Sequence, residues 1–175
     1  MLKGKLTCLR PLEPDDLDSL YNWYNDPEYC YWVSGSWPPV TMLRREEIER
    51  MMYEEDEHRY ALTDLKGQLI GSIGFDQVNI SARSARIYIG IGCKEHWSKG
   101  YGTDALSVFI HYLFDHWNFR RLTAETWQKN QRALCCYQKL GFVIEGNLRE
   151  AYYVDGQYYD AIILGLLKQN FRPPA

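Results

Sequence analysis

Between a β-branched run at residues 87–91 and a helical run at 104–117 stands the segment Trp97-Ser98-Lys99-Gly100-Tyr101-Gly102-Thr103-Asp104-Ala105. Two glycines one residue apart, set between a strand and a helix, let the backbone approach a ligand with no Cβ in the way. The first amides of the following helix have no intrahelical partner and carry the positive end of its dipole. This corner holds the chain to a mixed α/β arrangement and gives it the geometry that binds phosphate.

The surrounding pattern supplies the other elements. Residues 5–10 alternate as a strand, and Glu13-Pro14-Asp15-Asp16 opens a helix that Leu17, Leu20, Tyr21 and Tyr24 continue at helical spacing. Residues 28–40, rich in aromatics and carrying Gly35, Pro38 and Pro39, read as an irregular loop. Thr41 can cap a second helix through about residue 55, with Leu43, Ile48, Met51 and Met52 as its stripe. Strands follow at 59–63, 68–75 and 84–91, then the loop and helix, a strand at 122–127, and a short helix at 130–140 closed by Gly141. Asp155-Gly156 separates two alternating aromatic runs, a hairpin. The order is β, two helices, three strands, helix, strand, helix, two strands.

Bulk properties remove whole classes of function. A length of 175 residues is one domain's worth of chain, and a net charge of −3 with no long basic run speaks against a nucleic-acid surface. No apolar run reaches membrane-spanning length, and the first residues start no signal peptide. The five cysteines form no zinc spacing and no CxxC, so no metal site is expected and free thiols in the cytoplasm fit best. The glycine loop itself lacks the GxxxxGK[ST] of a P-loop, and Ala105 stands where a dinucleotide fingerprint needs its third glycine. No kinase lysine, HRD or DFG accompanies it.

Three strings taken together carry a resemblance. The first is the loop 97–102, which fits the pattern [QR]xxGx[GA] except at Trp97. The second is Asn130-Gln131-Arg132-Ala133-Leu134-Cys135-Cys136-Tyr137-Gln138-Lys139-Leu140-Gly141-Phe142. The third runs Glu145-Gly146, Arg149-Glu150-Ala151-Tyr152, Asp155-Gly156, Tyr159-Asp160 and Leu166-Leu167, and Leu9-Arg10-Pro11-Leu12 with Asp15-Asp16-Leu17 fit at the start. In these residues the chain resembles the GNAT family of acetyl-CoA-dependent N-acetyltransferases, in the branch of ribosomal-protein and spermidine acetyltransferases. The phrase departs from that branch at Ser98 and Asp104.

The resemblance implies one domain over residues 1–172 with a short tail at 173–175. It also implies a mostly antiparallel mixed sheet in which two parallel strands, 86–93 and 122–127, splay apart, with helices flanking. Acetyl-CoA is the implied co-substrate. Its pyrophosphate would lie on Lys99, Gly100, Tyr101, Gly102 and Thr103, and its pantetheine arm on backbone near Ile91, Gly92 and Cys93 and on Asn130 and Ala133. Asn130 equally reads as a helix N-cap. Tyr137 matches the tyrosine that protonates the departing thiolate. Glu125, a lone charge in a strand, is the candidate base, and a place on the solvent face serves as well for it.

Acceptor contacts are expected from the early loop (Glu13, Asp26, Tyr29, Trp32, Trp37) and the last hairpin (Tyr152, Tyr158, Asp160), although most of these rings would also serve as packing. The acceptor is a protein N-terminus, a polyamine, an aminoglycoside or an amino sugar. A binding-only acyl-CoA sensor is the competing class, succinyl-CoA is the competing donor, and the aromatic hairpin would permit a homodimer.

Overall fold

A two-residue strand, Leu2–Lys3 (β1), too short for any periodicity to announce, pairs antiparallel with Thr7–Pro11 (β2) in a computed structural model that describes residues 1–35, 42–54 and 58–174. A 3₁₀ turn at Pro14–Asp16 then leads into α1 (Leu17–Tyr24). The Asp16 carboxylate accepts from the Glu13 amide at 2.8 Å and receives both terminal nitrogens of Arg10 at 2.7 Å each. Burial works to raise the Asp16 pKa, but these donors outweigh it and hold the carboxyl below its ordinary value. A carboxylate whose folded pKa is depressed contributes stability above its unfolded value, and that contribution is lost as pH falls through the folded value. Acid unfolding is therefore expected to begin below about pH 4, and Asp16→Asn should flatten the loss of thermal midpoint on that limb.

The expected loop at 28–40 is corrected as far as Ser34. Pro27–Ser34 is a helix (α2), capped by Asp26, whose Oδ1 accepts from the Tyr29 amide at 2.8 Å, and ended by Gly35 at φ 59°. Its aromatics follow no simple amphipathic stripe, because Tyr29 is buried while Trp32 lies against Trp127, their ring centroids 6.3 Å apart. Helix α3 (Arg45–Met52) is shorter than expected and buries Ile48 and Met52 against Leu20. Its expected cap Thr41, its expected end at Glu55 and the candidate Trp37 lie outside the described residues.

The remaining elements are β3 (His58–Asp64), β4 (Leu69–Asn79), β5 (Ser84–Ile91), α4 (Tyr101–Asp115), β6 (Arg121–Trp127), α5 (Gln131–Lys139), β7 (Val143–Val154) and β8 (Gln157–Leu167). They form one eight-stranded sheet ordered β1-β2-β3-β4-β5-β6-β8-β7. Its pairs are antiparallel except β5 with β6, whose register covers Ser84↔Arg121, Ala85↔Leu122 and Arg86↔Thr123 and then ends. Past those rungs the two strands part. The mostly antiparallel sheet with two splayed parallel strands is thus as expected.

Helix α4 lies across the sheet and buries Leu106, Phe109, Ile110 and Leu113 completely, against Leu62, Ile73, Phe75, Ile87 and Leu122. Burying one such side chain is worth about 1.5–3 kcal/mol, which fixes α4, and with it the loop that precedes it. A second restraint acts at the start of α4. Asp104 accepts from the Lys5 and Leu6 amides at 2.9 Å each and from the Thr7 hydroxyl at 2.6 Å, tying the first turn of the helix to the turn between β1 and β2. Among the described residues no helix is long and apolar enough to cross a membrane.

Candidate functional site

Where β5 and β6 part, they open a cleft of about 530 Å³ walled by β5, β6, the residue 96–103 loop and α5. Gly100, at φ 90°, is the N-cap of α4, and Ser98 is also left-handed at φ 58°. The first intrahelical bond runs from the Asp104 amide to the Gly100 carbonyl at 3.0 Å, so the amides of Tyr101, Gly102 and Thr103 precede the ladder. Space is left above them. A Cβ added at Gly102 would meet only Ile91 Cδ1 at 3.6 Å and Cys136 Sγ at 3.8 Å, both ordinary contacts. Thr103 Oγ1 lies 3.2 Å from Cys136 Sγ on the cleft wall. These groups fit a pyrophosphate. The side chains of Lys99 and Tyr101 do not line the cleft; Tyr101 packs edge-on to His96 at 4.5 Å.

The strand wall corrects part of the sequence reading. Gly92 and Cys93, expected to face a pantetheine arm, both donate their amides to the Ile70 carbonyl, at 2.9 and 3.1 Å, in a bulge against β4. Gly92 packs on Trp23, and Cys93 Sγ faces the Leu69 carbonyl at 3.6 Å. Because Gly92 N–H points to β4, strand alternation turns the backbone groups of Ile89 and Ile91 toward the parted edge. Of those, the Ile91 carbonyl accepts from the Trp97 indole at 2.7 Å. Of the three expected residues only Ile91 turns its backbone to the cleft, and Ile89 joins it.

Helix α5 carries Asn130, Ala133 and Tyr137 along one side of the cleft. Asn130 does serve as the N-cap, its Oδ1 accepting from the Ala133 amide at 3.1 Å, while its Nδ2 donates to the Trp32 carbonyl at 2.8 Å. Tyr137 is buried and stacks edge-on to Phe142 at 5.2 Å. Its hydroxyl has no hydrogen-bond partner among the described residues. Burial, with the neighbouring Cys136 thiol, pushes its pKa well up, so it remains a proton donor throughout the physiological range.

On β6, Glu125 lines the cleft and accepts from the Tyr152 hydroxyl at 3.0 Å. Burial and then the Glu125 charge push Tyr152 up to about 12. Sequence reasoning put these two residues in different roles, and the fold brings them into contact.

The other acceptor candidates divide. Trp32 lines the cleft. Asp26 caps α2 and pairs with Lys94 at 3.0 Å, and Glu13 closes the turn before α1. Tyr29 is core, its hydroxyl lying where a Cβ on Gly90 would stand. Tyr158 stands exposed at the hairpin end beside Tyr153, and Asp160 accepts from the Glu150 amide at 3.0 Å in a surface depression. These five do not line the cleft.

Sequence reasoning missed a stack at the cleft mouth. The Arg132 guanidinium lies 4.4 Å from the Trp32 ring centroid and 4.3 Å from that of Trp97. The three residues come from α2, the loop and α5, so no local pattern announces them. Beside the loop, Cys93, Glu95 and His96 bring one ligand atom each within 4.8 Å of one another, and burial, aided by the Glu95 charge, pushes the Cys93 thiol up. Such a trio could hold a cation, although all three residues belong to one short turn.

Comparison with known proteins agrees with this geometry. The family described as Acetyltransferase (GNAT) domain matches residues 7–143. Spermidine N(1)-acetyltransferase of Vibrio cholerae is 28% identical over 171 residues, covering 97% of each chain. Its Escherichia coli K12 counterpart is 27% identical over 164 residues, covering 93% of this chain and 87% of its own. A crystal structure of the V. cholerae spermidine N-acetyltransferase in complex with CoA and spermine superposes with a TM-score of 0.82 at 26% identity, over 94% of this chain and 96% of that one.

Proposed function

The chain belongs to the GNAT acetyltransferase family, and from that premise we propose how its residues divide the work of moving an acetyl group from acetyl-CoA to a primary amine. It is an acetyl-CoA-dependent N-acetyltransferase. One observation carries the assignment of roles: Glu125 on β6 and Tyr137 on α5 line the same cleft.

Bound acetyl-CoA supplies the thioester. The amides at the start of α4 hold its phosphates, and the edge of β5 at Ile89 and Ile91 runs along its arm, an amide there polarising the thioester oxygen. Glu125, directly or through one water, takes the surplus proton of the attacking amine. As the C–N bond forms and the C–S bond breaks, Tyr137 gives its proton to the sulfur and is reprotonated from solvent. Attack is direct, with no acyl-cysteine step. Asn130 sets the pitch of α5 and anchors α2 through the Trp32 carbonyl, so it positions Tyr137 rather than reacting.

The acceptor is a small primary amine, and among the candidates a polyamine is favoured over a protein N-terminus, an aminoglycoside or an amino sugar. The relatives named for spermidine support this, as does the Glu125 carboxylate bonded to the Tyr152 hydroxyl in the cleft, a pairing that suits a cation. One domain over residues 1–172 suffices, the Arg172 amide still bonding the Leu140 carbonyl at 3.0 Å.

Thiol release from acetyl-CoA across a panel of spermidine, spermine, aminoglycosides, amino sugars and short peptides tests the reading. Polyamines are expected to turn over fastest, and Glu125→Gln to lower kcat/KM for the amine roughly 10²-fold with acetyl-CoA binding unchanged. CoA binding without turnover of any amine would return the chain to a binding-only role.

A further inference from the structure

Arg132 is held in an unusual way. Its guanidinium carbon lies over two indoles at once, 4.4 Å from the Trp32 ring centroid and 4.3 Å from that of Trp97. Among the described residues it makes neither a hydrogen bond nor an ion pair. Glu28, the acid whose charge reaches it, is engaged by Lys94 at 2.9 Å. A stacked guanidinium uses its faces for the rings and keeps its N–H donors in the plane, aimed outward at its rim. Arg132 is itself part of the cleft wall, together with Ser98, Gly100 and Gly102 of the loop. The site thus holds a fixed, unneutralised cation next to helix-start amides that already favour an anion.

We propose that Arg132 is a cofactor-binding residue, which donates from its free edge to a phosphate of coenzyme A and is preorganised for it by the Trp32–Trp97 clamp. The inference rests on the acetyltransferase reading of the cleft and adds to it a side-chain charge where the loop offers only backbone. Preorganisation is the point of the clamp. An unrestrained arginine gives up side-chain freedom when it grips a phosphate, whereas this one has already given it up in the free protein. It also makes the tryptophans reporters of occupancy.

The test is a titration of wild type, Arg132→Gln and Arg132→Lys with CoA, dephospho-CoA and S-acetylpantetheine, followed by tryptophan fluorescence and by turnover where a thioester is present. Arg132→Gln is expected to weaken CoA roughly 10-fold or more and to reduce the salt dependence of binding. Turnover of S-acetylpantetheine, which carries no phosphate, should fall far less than turnover of acetyl-CoA. Arg132→Lys should recover part of the CoA affinity, because it keeps the charge and loses the planar fork. A penalty that persists with dephospho-CoA puts the contact at the pyrophosphate, and one that vanishes puts it at the 3′-phosphate; either supports the proposal.

Equal losses with CoA and S-acetylpantetheine would overturn it, since the arginine would then only be holding the rings together. So would Arg132→Lys behaving no better than Arg132→Gln. Wild-type protein that binds no CoA overturns both this inference and the acetyltransferase reading, while wild-type binding with an unaffected Arg132→Gln overturns this one alone.

Discussion

Replacing Tyr137 with Phe is expected to cut kcat roughly 10²-fold, the scale of one lost general acid, with KM for acetyl-CoA and the thermal midpoint close to wild type. The separation of effects follows from the geometry. The ring is buried against Phe142 and stays in the variant, whereas the hydroxyl, which bonds no described residue, holds nothing in place. A thiolate leaving group is only a moderately strong base, its acid having a pKa near 8.5, so the deficit should shrink as pH rises and the thiolate departs unprotonated more readily. The wild-type enzyme should show no alkaline loss of kcat owing to Tyr137 below pH 10, because burial pushes its pKa up and keeps the donor form populated. Steady-state kinetics of both proteins between pH 6 and pH 10 check this. An unchanged kcat would leave Tyr137 as a core ring and nothing more.

The largest structural effect is expected at Gly71. This residue pairs with Ile91 across β4 and β5, beside the bulge that sends two amides to the Ile70 carbonyl. A Cβ at position 71 would stand 2.2 Å from the Gly90 carbonyl oxygen and 2.9 Å from Ile91 Cα. Both are backbone atoms of the cleft wall, so no side-chain rotation can make room. Gly71→Ala should cost about 3 kcal/mol, at the upper end of ordinary overpacking, which lowers the midpoint of a chain this size by roughly 6–12 °C. It should also weaken acetyl-CoA, since β5 must move at the residue that lines the gap. Calorimetry with and without the cofactor separates the two losses. A variant as stable as wild type would mean that β5 shifts freely, and would count against its edge as a rigid wall.

The parts of the protein that local pattern specifies were legible in the sequence. Strand 84–91 matches β5 at both ends, and α4 and α5 lie where their apolar stripes and glycines put them. Asn130 and Tyr137 were singled out by the motif at 130–142 that resembles the family's, since helical phase alone reads the tyrosine as core. What failed depended on contacts between distant segments. Residues 28–34 are helical because Asp26 caps them and Tyr29 packs onto Gly90, a partner sixty-one positions away that the spacing of aromatics cannot reveal. The acids Glu13 and Asp26 sit in the expected segments, but local capping consumes them, and residue type does not say whether a carboxylate turns inward. The bulge at Gly92 and Cys93 depends on register with β4, and it turns the Cys93 amide to the β4 side along with that of Gly92. The Arg132 stack requires positions 32, 97 and 132 at once.

The same dependence on distant partners governs Asp104. Its carboxylate sits in the first turn of α4, where a negative charge would ordinarily cancel the field that attracts a phosphate. Three donors from residues 5–7 absorb that charge on the face away from the cleft. The chain's opening strands therefore act as an electrostatic shield as well as an edge of the sheet. A fusion partner or deletion at this end of the chain reaches the cofactor cradle through a single side chain, and tags belong at the other terminus.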